Sequence, residues 1–157
     1  MKRLGIFIIG LLISIGVWGQ ENISYIKIIE VPNTSSNELY VKCNEWFVRT
    51  FNSAESVIEF SDKDNGKIIG KYVFQATMIS RIKSTITVDI KNNKIRVKCD
   101  TPTVISLSPD LQEDLVLTEE YIQYKSWRKT LSKINLEWEN LVKNLESSLI
   151  EDEEDEW

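Results

Sequence analysis

The strongest constraint on the fold is the stretch TITVDIKNNKIRVKCD, residues 85–100, in which apolar and polar residues alternate on both sides of Asn92-Asn93. Such alternation is typical of β-strands with one buried face, and an asparagine pair suits a two-residue hairpin turn. A turn at this point predicts five cross-strand pairs: Ile90 with Ile95, Val88 with Val97, Ile86 with Cys99, Asp89 with Arg96, and Thr87 with Lys98. All the apolar residues then share one face, and a slip of one residue would destroy this sorting. We therefore expect Cys99 to point toward a face that helices cover.

Three further stretches have the composition of strands. Ile23 to Val31 is rich in β-branched residues and stops at Pro32, and Val57 to Phe60 and Lys67 to Ala76 follow later in the chain. Apolar, β-branched runs that are bounded by turn residues are typical of strands. Together with the hairpin they predict five strands, so a sheet forms most of the fold.

The segment DKDNGKIIGKYVF, residues 62–74, raises the question of an ion- or phosphate-binding loop. With Gly66 as the glycine of a calcium loop, Lys63 falls on a ligand position, which would place a cation in a cation site. A phosphate loop needs a helix N-terminus, whereas Gly66 opens a predicted strand. Asn65-Gly66 is instead a dipeptide that tight hairpin turns prefer, because both residues tolerate positive φ. The segment therefore predicts a hairpin turn.

The stretch TSSNELYVKCNEWFVRTFN, residues 34–52, predicts an amphipathic helix. Ser35 and Glu38 have the spacing of a capping box, and Asn52 marks a stop. Between them the residues of one face recur at helical spacing: Leu39, Cys43, Trp46, Phe47, Thr50 and Phe51. Cys43 therefore belongs to the buried stripe of this helix.

A second, longer helix is predicted from Thr118, which caps it, to Leu149. Its apolar stripe consists of Tyr121, Tyr124, Trp127, Leu131, Ile134, Trp138, Leu141, Leu145 and Leu149. This helix would be about 48 Å long, whereas a strand of eight residues spans only about 26 Å. We therefore expect part of the stripe to overhang the sheet as a partner surface, formed by Ile134, Trp138, Leu141 and Leu145. The alternative is that the first helix or the connector 101–117 covers this part.

The N-terminal sequence MKRLGIFIIGLLISIGVWGQ predicts a secretory signal peptide over residues 1–19. A short basic start precedes an apolar run from Ile6 to Val17, and small residues stand where a signal peptidase cuts. The run is shorter than the ~20 apolar residues of a membrane span, so we expect cleavage after Gly19 or Gln20 rather than an anchor. The protein is then periplasmic or secreted. The remaining chain of about 137 residues suits a single domain over residues 20–150.

Acidic residues outnumber basic ones by 24 to 19, but the excess lies at the C-terminus. Within residues 151–157, EDEEDEW, every residue except the final tryptophan is acidic. Runs of this kind are usually solvated, which favours a disordered tail over a docking tail. The rest of the chain is close to neutral, so it has no basic field that would attract nucleic acid.

The chain has no histidine, which excludes Ser-His and Cys-His nucleophile pairs and removes the commonest metal ligand. Its two cysteines, Cys43 and Cys99, are too few for a metal site built from thiols alone. In an oxidising compartment the two cysteines form either a disulfide or, as the alternative, two buried free thiols. The sequence predicts a protein that is not an enzyme and that binds no metal or cofactor.

Two segments resemble a known family: NELYVKCNEWFVRTFNSAESVIEFSDKDNGKIIGKYVF, residues 37–74, and TVDIKNNKIRVK, residues 87–98. They are similar to an uncharacterised family of secreted bacterial domains, a domain of unknown function with a TBP-like fold. The resemblance covers Ile23 to Thr101. It implies an α+β fold of strand, helix, four strands and helix, with a curved antiparallel sheet that helices cover on one face. It implies no catalytic residues and, since a fold does not carry a function, no DNA binding.

Two functions are compatible with these observations. The first is a protein-interaction module of the bacterial envelope, which pairs with another envelope protein or with itself through the helix around Trp138. The second is a carrier that holds a small ligand or lipid between sheet and helices, in a pocket lined by Trp46, Phe74 and Trp127. Large apolar side chains are more often core than pocket, so the interaction module is the leading hypothesis. Once the signal is removed, the sequence has no apolar run long enough to span a membrane.

Overall fold

The computed structural model describes residues 23–51, 58–78, 80–106, 114–118 and 123–150. In these residues the elements follow in this order: β1 (Ser24–Glu30), α1 (Ser36–Thr50), β2 (Ile58–Asp62), β3 (Lys67–Gln75), β4 (Ser80–Lys91), β5 (Lys94–Ser106), β6 (Leu115–Val116) and α2 (Lys125–Ile150). The predicted signal peptide, 1–19, and the predicted disordered tail, 151–157, lie outside the described residues.

The strands form one curved antiparallel sheet in the order β1-β5-β4-β3-β2, and α1 and α2 cover one of its faces. The predicted α+β fold of strand, helix, four strands and helix is therefore confirmed. One strand was not predicted, because β6 lies within the connector 101–117. It pairs with the second half of β5, and the N–H of Leu117 extends this pairing with a bond of 2.8 Å to the carbonyl of Pro102.

The β4–β5 hairpin has the predicted register, with Ile90 opposite Ile95, Val88 opposite Val97, Ile86 opposite Cys99, Asp89 opposite Arg96, and Thr87 opposite Lys98. Its turn holds two residues, because Lys91 lies opposite Lys94. The apolar members of these pairs are all buried beneath the helices. Cys99 is fully buried, which confirms that it points inward.

The β2–β3 connection is a hairpin turn, as the sequence predicts, but it holds four residues, 63–66, rather than the two of a tight turn. The carboxylate of Asp62 accepts hydrogen bonds from the backbone N–H of Asn65 at 3.0 Å and from its side-chain amide at 2.8 Å. Of the four residues only Gly66 has a positive φ, 58°. The bonds to Asp62 stabilise this wider turn.

The first helix begins where the sequence predicts it. The hydroxyl of Ser35 accepts the N–H of Glu38 at 3.2 Å, as expected of an N-cap, and the helix ends at Thr50. Its buried side chains are Leu39, Cys43, Trp46 and Phe47. These four residues follow the predicted spacing, so the amphipathic pattern of α1 is confirmed.

The second helix begins at Lys125, and the prediction that it starts at Thr118 is wrong. Leu117 is buried and bonded to Pro102, which keeps the chain alongside β5 at the point where the sequence predicts a helix cap. With 26 residues, α2 is about 39 Å long. The 12 residues of β4 and the 13 of β5 span about 40 Å and 43 Å. The sheet is therefore long enough to cover the whole helix.

Three contacts define the path of α2 across the covered face. Lys133 donates a hydrogen bond of 2.8 Å to the carbonyl of Ala76, just after β3. Further along the helix, the indole N–H of Trp138 donates to the hydroxyl of Ser84 on β4 at 3.0 Å. Near the helix end, Glu146 accepts a hydrogen bond of 2.5 Å from Lys27 on β1. The helix thus crosses the sheet obliquely, from β3 toward the edge strand β1.

Candidate binding surface on the open face of the sheet

The candidate site is the face of the sheet opposite α1 and α2, which we call the open face. Its residues alternate along each strand with those of the covered face. One row on this face crosses five strands in register: Ile28, Arg96, Asp89, Lys67 and Asp62. Cations and anions alternate along the row from β5 to β2, and an apolar residue ends it at β1.

Asp89 is the centre of this row. Arg96 donates to its carboxylate through Nη2 at 2.7 Å and Nε at 3.1 Å, and Lys67 lies 3.3 Å away on the other side. Partial burial acts to raise the pKa of Asp89, but the hydrogen bonds from Arg96 and Lys67 and their positive charges outweigh it, so the pKa is lowered. The carboxylate is therefore ionised at neutral pH. Its ion pairs with Lys67 on β3 and Arg96 on β5 link these two strands to β4.

Apolar side chains flank the charged row at both edges of the sheet. On β1, Ile26 is 57% exposed and Ile28 is 60% exposed, and on β2, Phe60 is 47% exposed. Ile26 lies directly opposite Lys98, whose ammonium pairs with Asp100 at 2.6 Å. An exposed group of large apolar residues beside paired charges is typical of a surface that meets a partner.

Two shallow depressions lie at the end of the open face where the β2–β3 and β4–β5 turns meet. The larger, of 510 Å³, lies between the turns and is lined by Phe60, Asp62, Asn65, Gly66, Lys67, Asp89, Ile90, Lys91 and Arg96. The smaller, of 220 Å³, lies toward β1 and is lined by Ile28, Asp89, Lys91, Lys94, Ile95 and Arg96. Asp89, Lys91 and Arg96 line both depressions, so the two adjoin each other at this end of the sheet.

The two turns at this end are held in place by backbone contacts. The carbonyl of Gly66 accepts the N–H of Ile90 at 2.7 Å, and a Cβ at position 66 would lie 2.5 Å from the Ile90 carbonyl oxygen. In the other turn, the side chain of Asn92 accepts the N–H of Ser36 at 2.9 Å, and that of Asn93 accepts the N–H of Thr34 at 3.2 Å. The β4–β5 turn is thus fixed to the start of α1.

The outer edge of β1 is unpaired within the described part of the sheet. Val31 donates its N–H to the carbonyl of Asn93 at 2.8 Å, so it faces β5. Because backbone groups alternate in direction along a strand, Ile26 and Ile28 direct their N–H and C=O groups away from β5. The same two residues therefore present both apolar side chains and free backbone groups.

The predicted partner surface on the second helix is not a surface. Ile134, Trp138 and Leu145 are fully buried and Leu141 is 7% exposed, so the expectation that they overhang the sheet is wrong. The expectation assumed strands of eight residues, whereas β4 and β5 are four to five residues longer. Trp138 lies over the middle of β4, and Ser84 satisfies its indole N–H.

The residues of the predicted ligand pocket belong to the core. Trp46 and Phe74 are buried, and Trp127 is half-buried against the same core. The rings of Phe51 and Tyr72 connect the first two, with centroid distances of 5.4 Å from Trp46 to Phe51, 5.4 Å from Phe51 to Tyr72 and 5.3 Å from Tyr72 to Phe74. This chain of rings fills the space between sheet and helices that the carrier hypothesis needs.

Cys43 and Cys99 are free thiols in the structure, so the alternative of two buried thiols describes it and a disulfide does not. Both side chains are fully buried in the core. Burial raises the pKa of each thiol to about 12, and the carboxylate of Asp100 adds to this effect at Cys99. Thiols with such a pKa are protonated at neutral pH and are poor nucleophiles.

Two further observations concern the described residues alone. They bring together no group of three or more cysteine, aspartate or glutamate side chains that would hold a metal ion. In the same part of the chain, neither helix has the length and apolar character that crossing a membrane requires.

Sequence reasoning missed Ile26 and Ile28, because ISYIKIIEV has the composition of a buried strand. The available signal was Lys27, since an inward-pointing charge within an apolar run is one of the features by which edge strands avoid unwanted pairing. In the structure Lys27 points to the covered face, where Glu146 binds it and raises its pKa. The odd-numbered residues of β1 are thereby assigned to the covered face and the even-numbered ones to the open face.

Comparisons with known proteins agree with this architecture. The model of a family described as a domain of unknown function (DUF4468) with TBP-like fold matches residues 25–104. The crystal structure of a DUF4468 family protein from Bacteroides ovatus is similar, with a TM-score of 0.64 and 16% identity over 82% of this chain and 86% of that chain. The crystal structure of a TBP-like protein from Parabacteroides distasonis has a TM-score of 0.57 and 14% identity over 79% of this chain and 92% of that chain. No curated protein matches the chain.

Proposed function

The chain belongs to the DUF4468 family of domains with a TBP-like fold, and from this premise we propose that it is an exported, non-catalytic domain that binds a partner protein along β1. The observation that carries the proposal is the pair Ile26 and Ile28, each more than half exposed on the open face of an edge strand. The partner contributes an extended segment that pairs with this edge. Strand addition of this kind gains affinity from backbone hydrogen bonds and specificity from alternate side chains.

Burial and geometry at β1 support this mode of binding. The free N–H and C=O groups of Ile26 and Ile28 would pair with the added strand, and their side chains would contact those of that strand on the open face. Lys27, between them, points to the covered face and is bound to Glu146 at 2.5 Å. An inward-pointing charge at an edge disfavours indiscriminate pairing. It therefore favours one matched partner over unlimited self-assembly.

The non-catalytic part of the proposal is supported by the chemistry of the side chains. The sequence has no histidine, and both thiols are buried and protonated. On the open face, the carboxylate of Asp89 forms ion pairs with Arg96 and Lys67. A carboxylate held ionised in this way is a poor general acid or base.

Export is supported by the signal-peptide pattern of residues 1–19. Fractionation of the native bacterium, followed by the intact mass of the purified protein, tests it. We expect the protein in the periplasmic or extracellular fraction, with a mass that corresponds to cleavage after Gly19 or Gln20. Recovery of the uncut chain from the cytoplasm would contradict export.

Binding along β1 is tested by a photo-crosslinking amino acid placed at position 28 in the full-length protein in living cells. Val48 on α1, 69% exposed, is the matched control position. We expect one discrete adduct from position 28, identified by mass spectrometry as an envelope protein, and none from position 48. The proposal would be contradicted by equal adducts from both positions. It would also be contradicted if position 28 gave no adduct in cells that contain the natural partner.

A further inference from the structure

The β4–β5 turn places two lysines directly opposite each other. Lys91 ends β4, Lys94 begins β5, and both side chains are exposed. Like charges in directly opposite positions of a sheet are destabilising. Among the residues that the structure describes, neither ammonium group forms an ion pair. The lysine pair therefore costs stability that no described carboxylate offsets.

The carboxylates nearest to the lysine pair are already engaged or do not reach it. Asp89 is bound by Arg96 and Lys67, and Asp62 is bound by the amide of Asn65. Glu30 lies opposite Lys94 on β1 but forms no ion pair with it in the described structure. An anion from outside the described residues would therefore find two unpaired ammonium groups.

The lysine pair stands on a fixed support. The side chains of Asn92 and Asn93, between the two lysines, are bonded to the backbone at the start of α1. Lys91 and Lys94 line the 220 Å³ depression together with Ile28, Ile95 and the paired side chains of Arg96 and Asp89. The pair is thus a preorganised cationic site with a depression beside it, rather than two lysines on a loose loop.

The path of α2 leads toward this end of the sheet. The helix passes from Ala76, at the far end of β3, to Lys27, which lies opposite Val97 on β5. Beyond its contact with Lys27 it continues for about one turn, or 6 Å, to Ile150. From Lys27, β1 runs on for three residues, about 10 Å, to Glu30, the residue opposite Lys94. The chain therefore leaves α2 close to the level of the lysine pair.

We propose that the carboxylates of residues 151–156 bind Lys91 and Lys94 of the same chain. The sequence places six consecutive acidic residues directly after Ile150, and an extended chain of seven residues spans up to about 24 Å. Because α2 lies on the covered face and the lysines lie on the open face, the segment must pass about 10 Å around the edge at β1 and about a further 10 Å across the two strand spacings from β1 to β4. The segment is therefore long enough to cross the edge at β1, and its charge is complementary to the site. This contact is internal, so it does not depend on a partner at β1.

A spin label tests the contact in the mature full-length protein. The label is attached to a Glu154→Cys variant, since the native thiols are buried and protonated. We expect the amide signals of residues 91–94 to broaden strongly at low salt and to recover at 1 M salt, where charges are screened beyond about 3 Å. We also expect the broadening to disappear in a Lys91→Glu/Lys94→Glu variant. Lys125→Glu/Lys129→Glu, at the opposite end of α2, is the matched control and should leave it unchanged.

A second measurement does not depend on the label. Removal of residues 151–157 from the mature protein should shift the amide signals of residues 91–94 and leave those of residues 125–130 in place. The proposal is overturned if neither label nor truncation affects residues 91–94, or if the broadening survives at 1 M salt. It is also overturned if broadening appears only when labelled chains are mixed with unlabelled, isotope-enriched chains, because the contact would then lie between molecules.

Discussion

β4 contributes Ile86 and Val88 to the covered face and Thr87 and Asp89 to the open face, so one strand meets two different surroundings. On the covered face the side chains are apolar and buried beneath two helices. On the open face, charges are paired across strands in the middle of the sheet, and isoleucines are exposed at its edge. The covered face thus stabilises the fold through apolar burial, whereas the open face contributes cross-strand ion pairs in its middle and leaves apolar side chains exposed at its edge.

The largest effect on stability is expected at Trp138 of the covered face. Trp138→Ala should lower the free energy of unfolding by about 3–5 kcal/mol, because it leaves a large cavity and an unpaired hydroxyl on Ser84. Urea unfolding measures the change. Leu136→Ala, on the same helix and 55% exposed, should change the free energy by less than about 0.5 kcal/mol. Equal losses in the two variants would show that α2 is not packed as described.

A smaller loss of stability is expected at Gly66, which lies in the β2–β3 turn. Gly66→Ala should cost about 1–3 kcal/mol, because φ is 58° and the new Cβ would lie 2.5 Å from the carbonyl oxygen of Ile90. Lys63→Ala in the same turn is the control and should be nearly neutral. Thermal unfolding distinguishes them, and a neutral Gly66→Ala variant would contradict the close approach of the two turns.

Asp89 of the open face should contribute stability that depends on pH. Its lowered pKa means that the folded state favours the ionised form, so this contribution is present above the unfolded pKa of about 4 and is lost as the pH falls through the folded pKa. Asp89→Asn should cost about 1 kcal/mol at pH 7, and the difference from the parent should shrink below pH 4. Asp64→Asn in the exposed β2–β3 turn is the control. A difference that persists at pH 2 would show that the ion pairs are not its cause.

The smallest effect on stability is expected at the edge of the open face. Ile28→Glu should change the unfolding midpoint by no more than Val48→Glu on α1, because both side chains are already more than half exposed and the new carboxylate lies opposite Arg96. A large loss of stability from Ile28→Glu alone would mean that this part of the open face is buried in the protein.

The covered face was predictable because its pattern is local. Alternation around Asn92-Asn93 determined the register of β4 and β5, and helical spacing determined the buried side of α1. The extent of the strands was not predictable, since β5 continues through Pro102 to Ser106 and pairs with β6, contacts that depend on tertiary structure. Because the strands were expected to be shorter than they are, Trp138 was predicted to lie beyond the end of the sheet.

The open face was less predictable because its exposure depends on strand order. Ile26 and Ile28 are exposed because they point away from the face that α1 and α2 cover and because β1 has a neighbouring strand on one side alone in the described sheet. The four-residue β2–β3 turn likewise depends on bonds between Asp62 and Asn65 that compete with a tighter turn. The exposure of the two isoleucines and the length of the turn both depend on neighbouring strands, which the local sequence pattern does not specify.

The most direct test of the division between the two faces combines one variant with two readouts. Ile26→Glu, which places a carboxylate opposite Lys98, is introduced into the protein that carries the photo-crosslinking residue at position 28. Both the adduct in cells and the unfolding midpoint of the purified protein are measured. Loss of the adduct with an unchanged midpoint is the result we predict, because we propose that the edge of the open face binds a partner and because its side chains are already exposed. An adduct that persists, or a midpoint that falls together with the adduct, would contradict the account.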